Sequence, residues 1–195
     1  MRGRLVVVVV ALCATVGLLA SVPAEAATVS VAISGFSFKP DVIKATQGSS
    51  VKWNQQDPGQ HTTTSNELFW QSAHLSTGAS FIDVAKYAGI FAYHCEIHTF
   101  MTGQVRVPII VTASAAGGWI VRWSSLNTTP TDRNFDIQIK RPGSNKWRPF
   151  RDATTRAFAR FDTSVAGEYR FRARTRNLTI GQPSAWSPAV ALTIT

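Results

Sequence analysis

Apolar and polar residues alternate in short stretches along the whole chain, and clusters of glycine, proline and asparagine separate these stretches. Residues 28–33, with the sequence TVSVAI, are the clearest example. Alternation with a period of two predicts β-strands that bury one face. In the first half of the chain the pattern predicts strands over residues 28–33, 35–40, 41–45, 50–53, 79–84, 91–95 and 103–107.

The alternation continues in the second half of the chain, and no stretch predicts a helix of useful length. Here the pattern predicts strands over residues 111–114, 119–124, 135–140, 147–151, 157–161, 168–175 and 189–194. Regularly spaced short strands with turns between them are typical of β-sandwiches. We therefore expect an all-β protein.

Pro108 interrupts the strand pattern near the middle of the chain, and the charge changes at the same place. Residues 27–107 hold five basic and five acidic residues, whereas residues 108–195 hold thirteen basic and five acidic residues. The net charge of +9 therefore lies almost wholly in the second part. Such an asymmetry suggests two units with different roles. We predict two domains, 27–107 and 108–195, with almost no linker.

Residues 1–26 have the features of a secretory signal peptide. Two arginines form a positive start, residues 5–20 are apolar, and residues 24–26 form a small-x-small cleavage sequence. The apolar run is short for a membrane-spanning helix, and no later segment is long and apolar enough. Lipidation of Cys13 is disfavoured, because a bulky leucine precedes it inside the apolar run. We predict a secreted or cell-wall-associated protein without a transmembrane segment.

Removal of this segment leaves Cys95 as the only cysteine, so the mature chain has no partner for an internal disulfide. An unpaired cysteine outside the cell is buried and inert, paired with another chain, or bound to a metal. Cys95 lies in the sequence YHCEIHTFMTGQV, where His98 follows three residues later and Met101 three residues after that. Thiolate, imidazole and thioether within seven residues suit copper.

A single tight loop cannot surround an ion, so we expect a second histidine from elsewhere in the fold. His61, in the turn-rich sequence NQQDPGQHTTTS, is the natural donor. Two histidines, a cysteine and a weak axial methionine form the blue-copper arrangement. The alternative is an ordinary role for each residue, such as a buried thiol or a core methionine. Because the four residues occur together in this pattern, we predict a copper site at His61, Cys95, His98 and Met101.

The two remaining histidines are not predicted to be ligands. His94 neighbours Cys95 on a predicted strand, so its side chain should point to the opposite face. His74 is expected at the surface. A multicopper oxidase needs further histidines for a three-copper cluster, and only these two remain. We therefore predict that the protein is not an enzyme.

Residues 27–107 resemble the cupredoxins, most closely the amicyanin and plastocyanin-like type. The matching sequences are GFSFKPDVIKATQGSSVKWNQQDPGQHTTT, GASF and YAGIFAYHCEIHTFMTGQV. The resemblance implies an eight-stranded Greek-key sandwich with one type 1 copper ion at one end. It also implies that His61, Cys95 and His98 are the equatorial ligands and that Met101 is the axial ligand.

In the resembled family the loop histidine is exposed within an apolar patch and acts as the electron port. The resemblance implies this role for His98. Ile97, Phe100 and Trp70 are the candidates for the patch, and ordinary packing is the alternative for these three side chains.

Residues 108–195 resemble fibronectin type III modules. Trp123, Tyr169 in the sequence VAGEYRFRAR, and the sequence SAWSP carry the resemblance. Alternation sends the four arginines of residues 170–176 to one face of a strand. Either Trp186 stacks on them in a cation–π ladder, or they form a docking stripe for an anionic cell-wall polymer or an acidic protein. Nucleic-acid binding is not expected, because the sequence has no nucleic-acid motif.

These features favour an exported type 1 copper protein that acts as a one-electron carrier for an unknown redox partner. Two alternatives remain at this point. One is a copper-binding or copper-delivery protein without a redox partner, which should lose copper readily to acceptors. The other is a wall-associated adhesion module, which should keep its binding after copper is removed.

Overall fold

The structure, a computed structural model, describes residues 27–127 and 131–195. Every helix or strand assigned within these ranges is a β-strand, as the alternating pattern predicts. Within the same ranges no helix is long and apolar enough to cross a membrane. The predicted signal peptide, including Cys13, lies outside the described residues.

The first module contains eight strands in two sheets of four. The strands are β1 (Thr28–Ile33), β2 (Phe38–Lys39), β3 (Val42–Lys44), β4 (Ser50–Gln55), β5 (Thr64–Ser65), β6 (Ser80–Val84), β7 (Gly89–His94) and β8 (Thr102–Val107). One sheet has the order β2-β1-β4-β6, and the other has the order β3-β8-β7-β5. Strands β1 and β4 run parallel, as do β3 and β8. The prediction of an eight-stranded sandwich is therefore confirmed.

The core of the first module follows from the alternation along its central strands. In β4 and β7 every second side chain is buried between the two sheets. Trp53 of β4 packs edge-on against Tyr93 of β7, with ring centroids 5.6 Å apart. Trp70 packs against both of these rings, with centroids 5.5 and 5.8 Å away. Burial of these large aromatic side chains is a major source of the stability of the sandwich.

The second module also consists of two sheets. Its strands are β9 (Ile110–Ala113), β10 (Trp119–Arg122), β11 (Arg133–Lys140), β12 (Arg148–Thr154), β13 (Phe158–Phe161), β14 (Gly167–Asn177), β15 (Gln182–Pro183) and β16 (Val190–Ile194). One sheet has the order β13-β10-β9, and the other has the order β12-β11-β14-β15, with β16 also paired to β14. Trp123, Phe135, Ile137 and Phe171 are fully buried between the sheets.

The two modules share an interface at the start of β7. Ala88 is fully buried within the core of the second module, and the Thr175 hydroxyl donates a 2.9 Å hydrogen bond to its carbonyl. Ile90 and Ala185 exchange backbone hydrogen bonds across the boundary. A Cβ atom on Gly89 would collide with the Ser184 side chain, so glycine permits this close approach. The modules are therefore packed together rather than tethered by a flexible segment.

Two short strands and one loop differ from the predicted pattern. Strands β5 and β15 have two residues each and were not predicted. Of the predicted strand over residues 35–40, only Phe38–Lys39 is a strand. Phe36 lies in a turn before it, with a positive φ of 52° and a half-exposed ring. The alternation of Phe36 and Phe38 therefore does not reflect a shared strand face.

Candidate metal centre

The predicted ligands lie in two loops at one end of the first module. His61 follows β4 and forms an isolated bridge with Leu75. Cys95 directly follows β7, and His98 and Met101 lie in the loop that leads to β8. The residues are distant in sequence, and the sandwich topology brings them together.

Three donor atoms form a compact triangle. Cys95 Sγ lies 3.8 Å from His61 Nδ1 and 3.8 Å from His98 Nδ1, and the two Nδ1 atoms are 3.2 Å apart. A point equidistant from these atoms lies about 2.1 Å from each, a distance typical of metal–nitrogen and metal–sulfur bonds of about 2.0–2.3 Å. Among the His, Cys, Asp and Glu residues that the structure describes, these three form the group whose donor atoms all lie within 4.8 Å of one another.

The triangle is enclosed on most sides. His61 and Cys95 are fully buried, and Met101 is 2% exposed. His98 is partly exposed. Met101 closes the loop, since its amide donates to the His98 carbonyl over 2.9 Å and its carbonyl accepts from the Cys95 amide over 3.1 Å. The assignment of Met101 as the axial ligand stays a prediction.

Backbone and hydroxyl groups orient the thiol and the loop that carries it. The Thr62 amide donates to Cys95 Sγ over 3.3 Å. The Thr62 hydroxyl accepts from the Glu96 amide over 2.8 Å, which joins the two ligand loops. Thr63 accepts a hydrogen bond from the indole N–H of Trp70. Thr62 therefore joins the two ligand loops, and Thr63 ties the His61 loop to Trp70 in the core.

Asp57 contacts the outer side of His61. Its Oδ2 lies 3.2 Å from His61 Nε2, although Nε2 has no well-aligned acceptor among the described residues. The amides of Gly35 and Phe36 donate to the same carboxylate over 2.6 and 2.9 Å. Burial alone would raise the pKa of Asp57, but these amides and His61 outweigh it and lower the pKa. A carboxylate behind a ligand histidine fixes the orientation of its ring.

The environment also favours the neutral form of His61. Its pKa is lowered because burial disfavours the charged ring and His98 repels it, while Asp57 only partly opposes these effects. Metal binding requires a neutral imidazole nitrogen. The site is therefore arranged to present both Nδ1 atoms to an ion.

An exposed apolar surface surrounds His98. Phe36 lies edge-on to His61 and His98, with ring centroids 5.5 and 5.0 Å away, and the Phe100 ring lies 6.1 Å from His98. Phe100 is 72% exposed and Ile97 is 42% exposed. We define Phe36, Ile97 and Phe100 as the His98 patch. The prediction of Trp70 in this patch is wrong, because Trp70 packs in the core.

The two histidines that were not predicted to be ligands, His94 and His74, lie away from the triangle. His94 Nδ1 lies 2.7 Å from Asn66 Oδ1, and His74 is exposed. Neither belongs to the group of converging donors. The sequence pattern did not indicate Asp57 or Phe36 as part of the site, although Asp57 lies four residues before His61 in the same turn-rich sequence, NQQDPGQHTTTS.

The comparison with protein families supports the assignment of the first module. The family model described as the cupredoxin-like domain matches residues 4–107. A Cu(I) form of an amicyanin variant is 22% identical, with 43% of this chain and 84% of that chain covered and a TM-score of 0.40. A purple cupredoxin from Nitrosopumilus maritimus is 23% identical, with 40% and 97% covered and a TM-score of 0.38.

A Cu-containing nitrite reductase from Thermus scotoductus SA-01 is 24% identical, with 41% of this chain covered and a TM-score of 0.39. This chain spans 22% of the length of that enzyme. No curated protein matches the chain significantly.

The residues present fit a copper ion. One thiolate and two imidazole nitrogens converge at bonding distance, and soft sulfur with imidazole is the donor set that copper favours. The family model covers more than half of the chain. The chain therefore belongs to the family of cupredoxin-like domain proteins, and copper is its cofactor.

Proposed function

We propose that the protein is a one-electron carrier whose single copper ion is held by His61, Cys95 and His98, with Met101 as the axial ligand. The triangle of Sγ and two Nδ1 atoms carries this proposal, because it matches the ligand set of a type 1 site. When bound, copper supplies the Cu(II)/Cu(I) couple. The role of the chain is to keep its ligands in place in both oxidation states.

Several contacts support a site that changes little during electron transfer. His61 and Cys95 are fully buried, and hydrogen bonds from Thr62 join the two ligand loops. The fold and these hydrogen bonds therefore fix the positions of the donors. This enclosure favours a carrier over an enzyme, since it leaves the buried donors without access for a substrate.

The His98 patch supports contact with a redox partner. His98 is the partly exposed member of the triangle, and Phe36 and Phe100 pack beside its ring. Exposed apolar side chains that cluster on a surface are typical of interaction sites. We propose that this patch is the docking surface through which electrons enter and leave.

Electron self-exchange between two copies of the protein tests the role of the patch. Phe100→Glu places a charge in the patch, and two such patches repel when they meet, so the self-exchange rate should fall on the order of tenfold or more. Ile82→Glu is the matched control, because Ile82 is 56% exposed on β6, outside the patch. Equal rates for the two variants would contradict the proposed docking surface.

Copper transfer distinguishes the carrier from a copper-delivery protein. A carrier should keep its copper when a chelator or an apo acceptor is added and should show reversible voltammetry. Rapid loss of copper to the acceptor in both oxidation states would overturn the carrier proposal.

We further propose that the second module is similar to fibronectin type III. Its two sheets have three and five strands, and all the strand pairs are antiparallel. The Tyr169 hydroxyl donates to the Val165 carbonyl over 3.1 Å, as in a tyrosine corner. Trp123 is fully buried in the core. These contacts support the resemblance in the sequence.

The arginines of β14 are engaged within the module. The guanidinium carbon of Arg172 lies 4.3 Å from the Trp147 ring centroid and 4.8 Å from the Trp186 ring centroid, and Arg174 lies 4.8 Å from Trp186. Arg174 and Arg176 also pair with Asp136. The predicted stacking of Trp186 is confirmed, and Trp147 extends the ladder. Reversal of Arg172 would therefore disturb packing as well as charge.

We propose that the protein is exported and that the basic module binds an anionic cell-wall polymer or an acidic protein. Arg148 and Arg151 are exposed and form no salt bridge within the described ranges. Exposed charges attract a partner through solvent, and salt weakens this attraction. Reversing both residues to Glu should reduce salt-sensitive retention on an anionic matrix without changing the copper spectrum. Unchanged retention would argue against this partner class.

A further inference from the structure

A cavity lies between the core of the first module and the start of β11 in the second module. Its volume is about 160 Å³. Aromatic rings of Trp53, Phe69, Trp70 and Phe91 line it, together with valine side chains from β4 and β8. None of the predicted copper ligands lines this cavity.

The size and the walls of the cavity suit a single aromatic ring. An apolar cavity of about 150 Å³ in another protein takes up benzene. Trp53 and Phe91 are almost fully buried, so the ring-lined part lies deep in the module. Phe69 and Phe91 meet edge to face with centroids 4.7 Å apart, which is the packing that a further aromatic ring can extend.

The mouth of the cavity is polar and carries both signs of charge. It includes Asp83, Lys86, Asp132 and Arg133. Two basic and two acidic residues cancel one another, so the mouth favours a neutral ligand over an anion or a cation. A neutral ligand still gains from a polar group at this position, because the mouth offers both donors and acceptors.

Two of these side chains have unused hydrogen-bonding capacity within the described residues. Arg133 packs over Phe69 and uses its Nη1 for Asp132 and Asn177, but its buried Nε has no acceptor. The Asp83 carboxylate is half-buried and forms no salt bridge in the described part of the chain. Its pKa is raised because burial disfavours the charge, and attraction by Lys86 opposes this only in part. Buried polar groups normally have a partner.

We propose that this cavity binds a small neutral phenolic compound. The ring lies in the cavity against the side chains of Trp53, Trp70 and Phe91. The hydroxyl group lies at the mouth, where it donates to the Asp83 carboxylate and accepts from Arg133 or Lys86. A hydroxyl group is the smallest substituent that both donates and accepts. This inference does not depend on the proposed electron-transfer role.

Titration of the copper(I)-loaded protein with three probes tests the ligand class. The three probes share a benzene ring: phenol carries a hydroxyl group, benzene has no polar group, and benzoate carries a negative charge. Phenol should shift the methyl NMR signals of Val51, Val105 and Val107, which line the cavity, and leave that of Val121 in the second core unchanged. Phenol should bind most tightly. Equal affinity for benzene would show an apolar void only, and tighter binding of benzoate would show an anion site, so either result overturns the proposal.

A conservative variant isolates the hydrogen bond at the mouth. Asp83→Asn replaces a charged acceptor with a neutral one, so phenol affinity should fall about fivefold while benzene affinity stays the same. Asp152→Asn is the matched control on an exposed strand of the second module and should change neither. Ala85→Leu, which narrows the cavity, should weaken both ligands. Absence of any phenol binding to the wild-type protein, or unchanged phenol affinity in Asp83→Asn, would overturn the proposal.

Discussion

Replacement of Asp57 by alanine tests how the fold holds the ligand His61. In the folded protein the Asp57 carboxylate accepts hydrogen bonds from the amides of Gly35 and Phe36 and lies 3.2 Å from His61 Nε2. Asp57 itself is only 7% exposed. The substitution removes both amide bonds and the charge behind the ligand ring.

The size of the effect follows from these contacts. A hydrogen bond to a charged group contributes about 1.5–3 kcal/mol. Because Gly35 and Phe36 are exposed, water can replace the lost acceptor, and we expect a total near the lower end, about 2–3 kcal/mol. In a protein of this size such a loss lowers the melting temperature by about 4–12 °C. The reduction potential should also rise, since a nearby negative charge stabilises the more positive Cu(II) state.

Thermal unfolding of the apo and copper-loaded forms, followed by voltammetry, measures both effects. Asp57→Asn keeps one acceptor oxygen and should lose about half as much stability. Asp41→Ala is the matched control, because the Asp41 side chain is exposed and accepts no hydrogen bond among the described residues. A melting temperature equal to that of Asp41→Ala, or a potential that falls, would refute the proposed role of Asp57.

The axial ligand, the interface between the modules and the Asp136 carboxylate can each be tested by one change. Met101→Gln should keep copper bound and lower the reduction potential, because a weak axial ligand tunes potential more than affinity; loss of all copper on dialysis would contradict this. Residues 27–107 expressed alone should unfold at a lower denaturant concentration than the whole chain, because Ala88 loses its packing in the second core; an unchanged midpoint would show that the modules are independent. Burial alone would raise the pKa of Asp136, but the Ala153 amide and the guanidinium group of Arg174 outweigh it and lower the pKa. Because the pKa of Asp136 is lower in the folded protein, its carboxylate stabilises the fold at pH values above the unfolded pKa of about 3.9. This stabilisation is lost as the pH falls through the folded pKa, so the urea midpoints at pH 7 and pH 3 should differ less in Asp136→Asn than in the wild type.

Much of the fold was predictable because alternation records which face of a strand is buried. The pattern located β1 at Thr28–Ile33 without error and placed most longer strands within a few residues. Strands β5 and β15 were missed, because a two-residue strand has no period and exists only through its neighbours. Phe36 was misplaced for the opposite reason, since its spacing from Phe38 imitates a strand while its backbone turns.

The ligand set was predictable because chemistry limits which residues occur together at close spacing. Cys95, His98 and Met101 lie within one short motif. Because a single tight loop cannot surround an ion, a further histidine was expected from elsewhere in the chain, and His61 was predicted. Asp57 was not predictable in this way. Its role depends on the approach of the Gly35–Phe36 turn from a distant part of the chain, and local sequence carries no record of that contact.

In the second module, too, the local pattern predicted which face of a strand is buried but not the contacts with distant residues. Alternation along β14 correctly sent Tyr169 and Phe171 inward and the arginines outward. It did not indicate that Trp147 and Asp136 engage these arginines, because Asp136 lies on the neighbouring strand β11 and Trp147 lies just before β12, on the far side of β11. The arginines of β14, which the sequence shows only as a row of like charges, are therefore partly neutralised by Asp136 and stacked on tryptophan rings in the fold.

The visible absorption spectrum of the Cu(II)-loaded protein shows directly whether Cys95 binds copper as a thiolate between His61 and His98. Copper displaces the thiol proton, so the wild-type protein should be blue or green from an intense thiolate-to-copper band. Cys95→Ser should abolish this band. A colourless copper-loaded wild-type protein, or a band that survives in Cys95→Ser, would contradict the assignment.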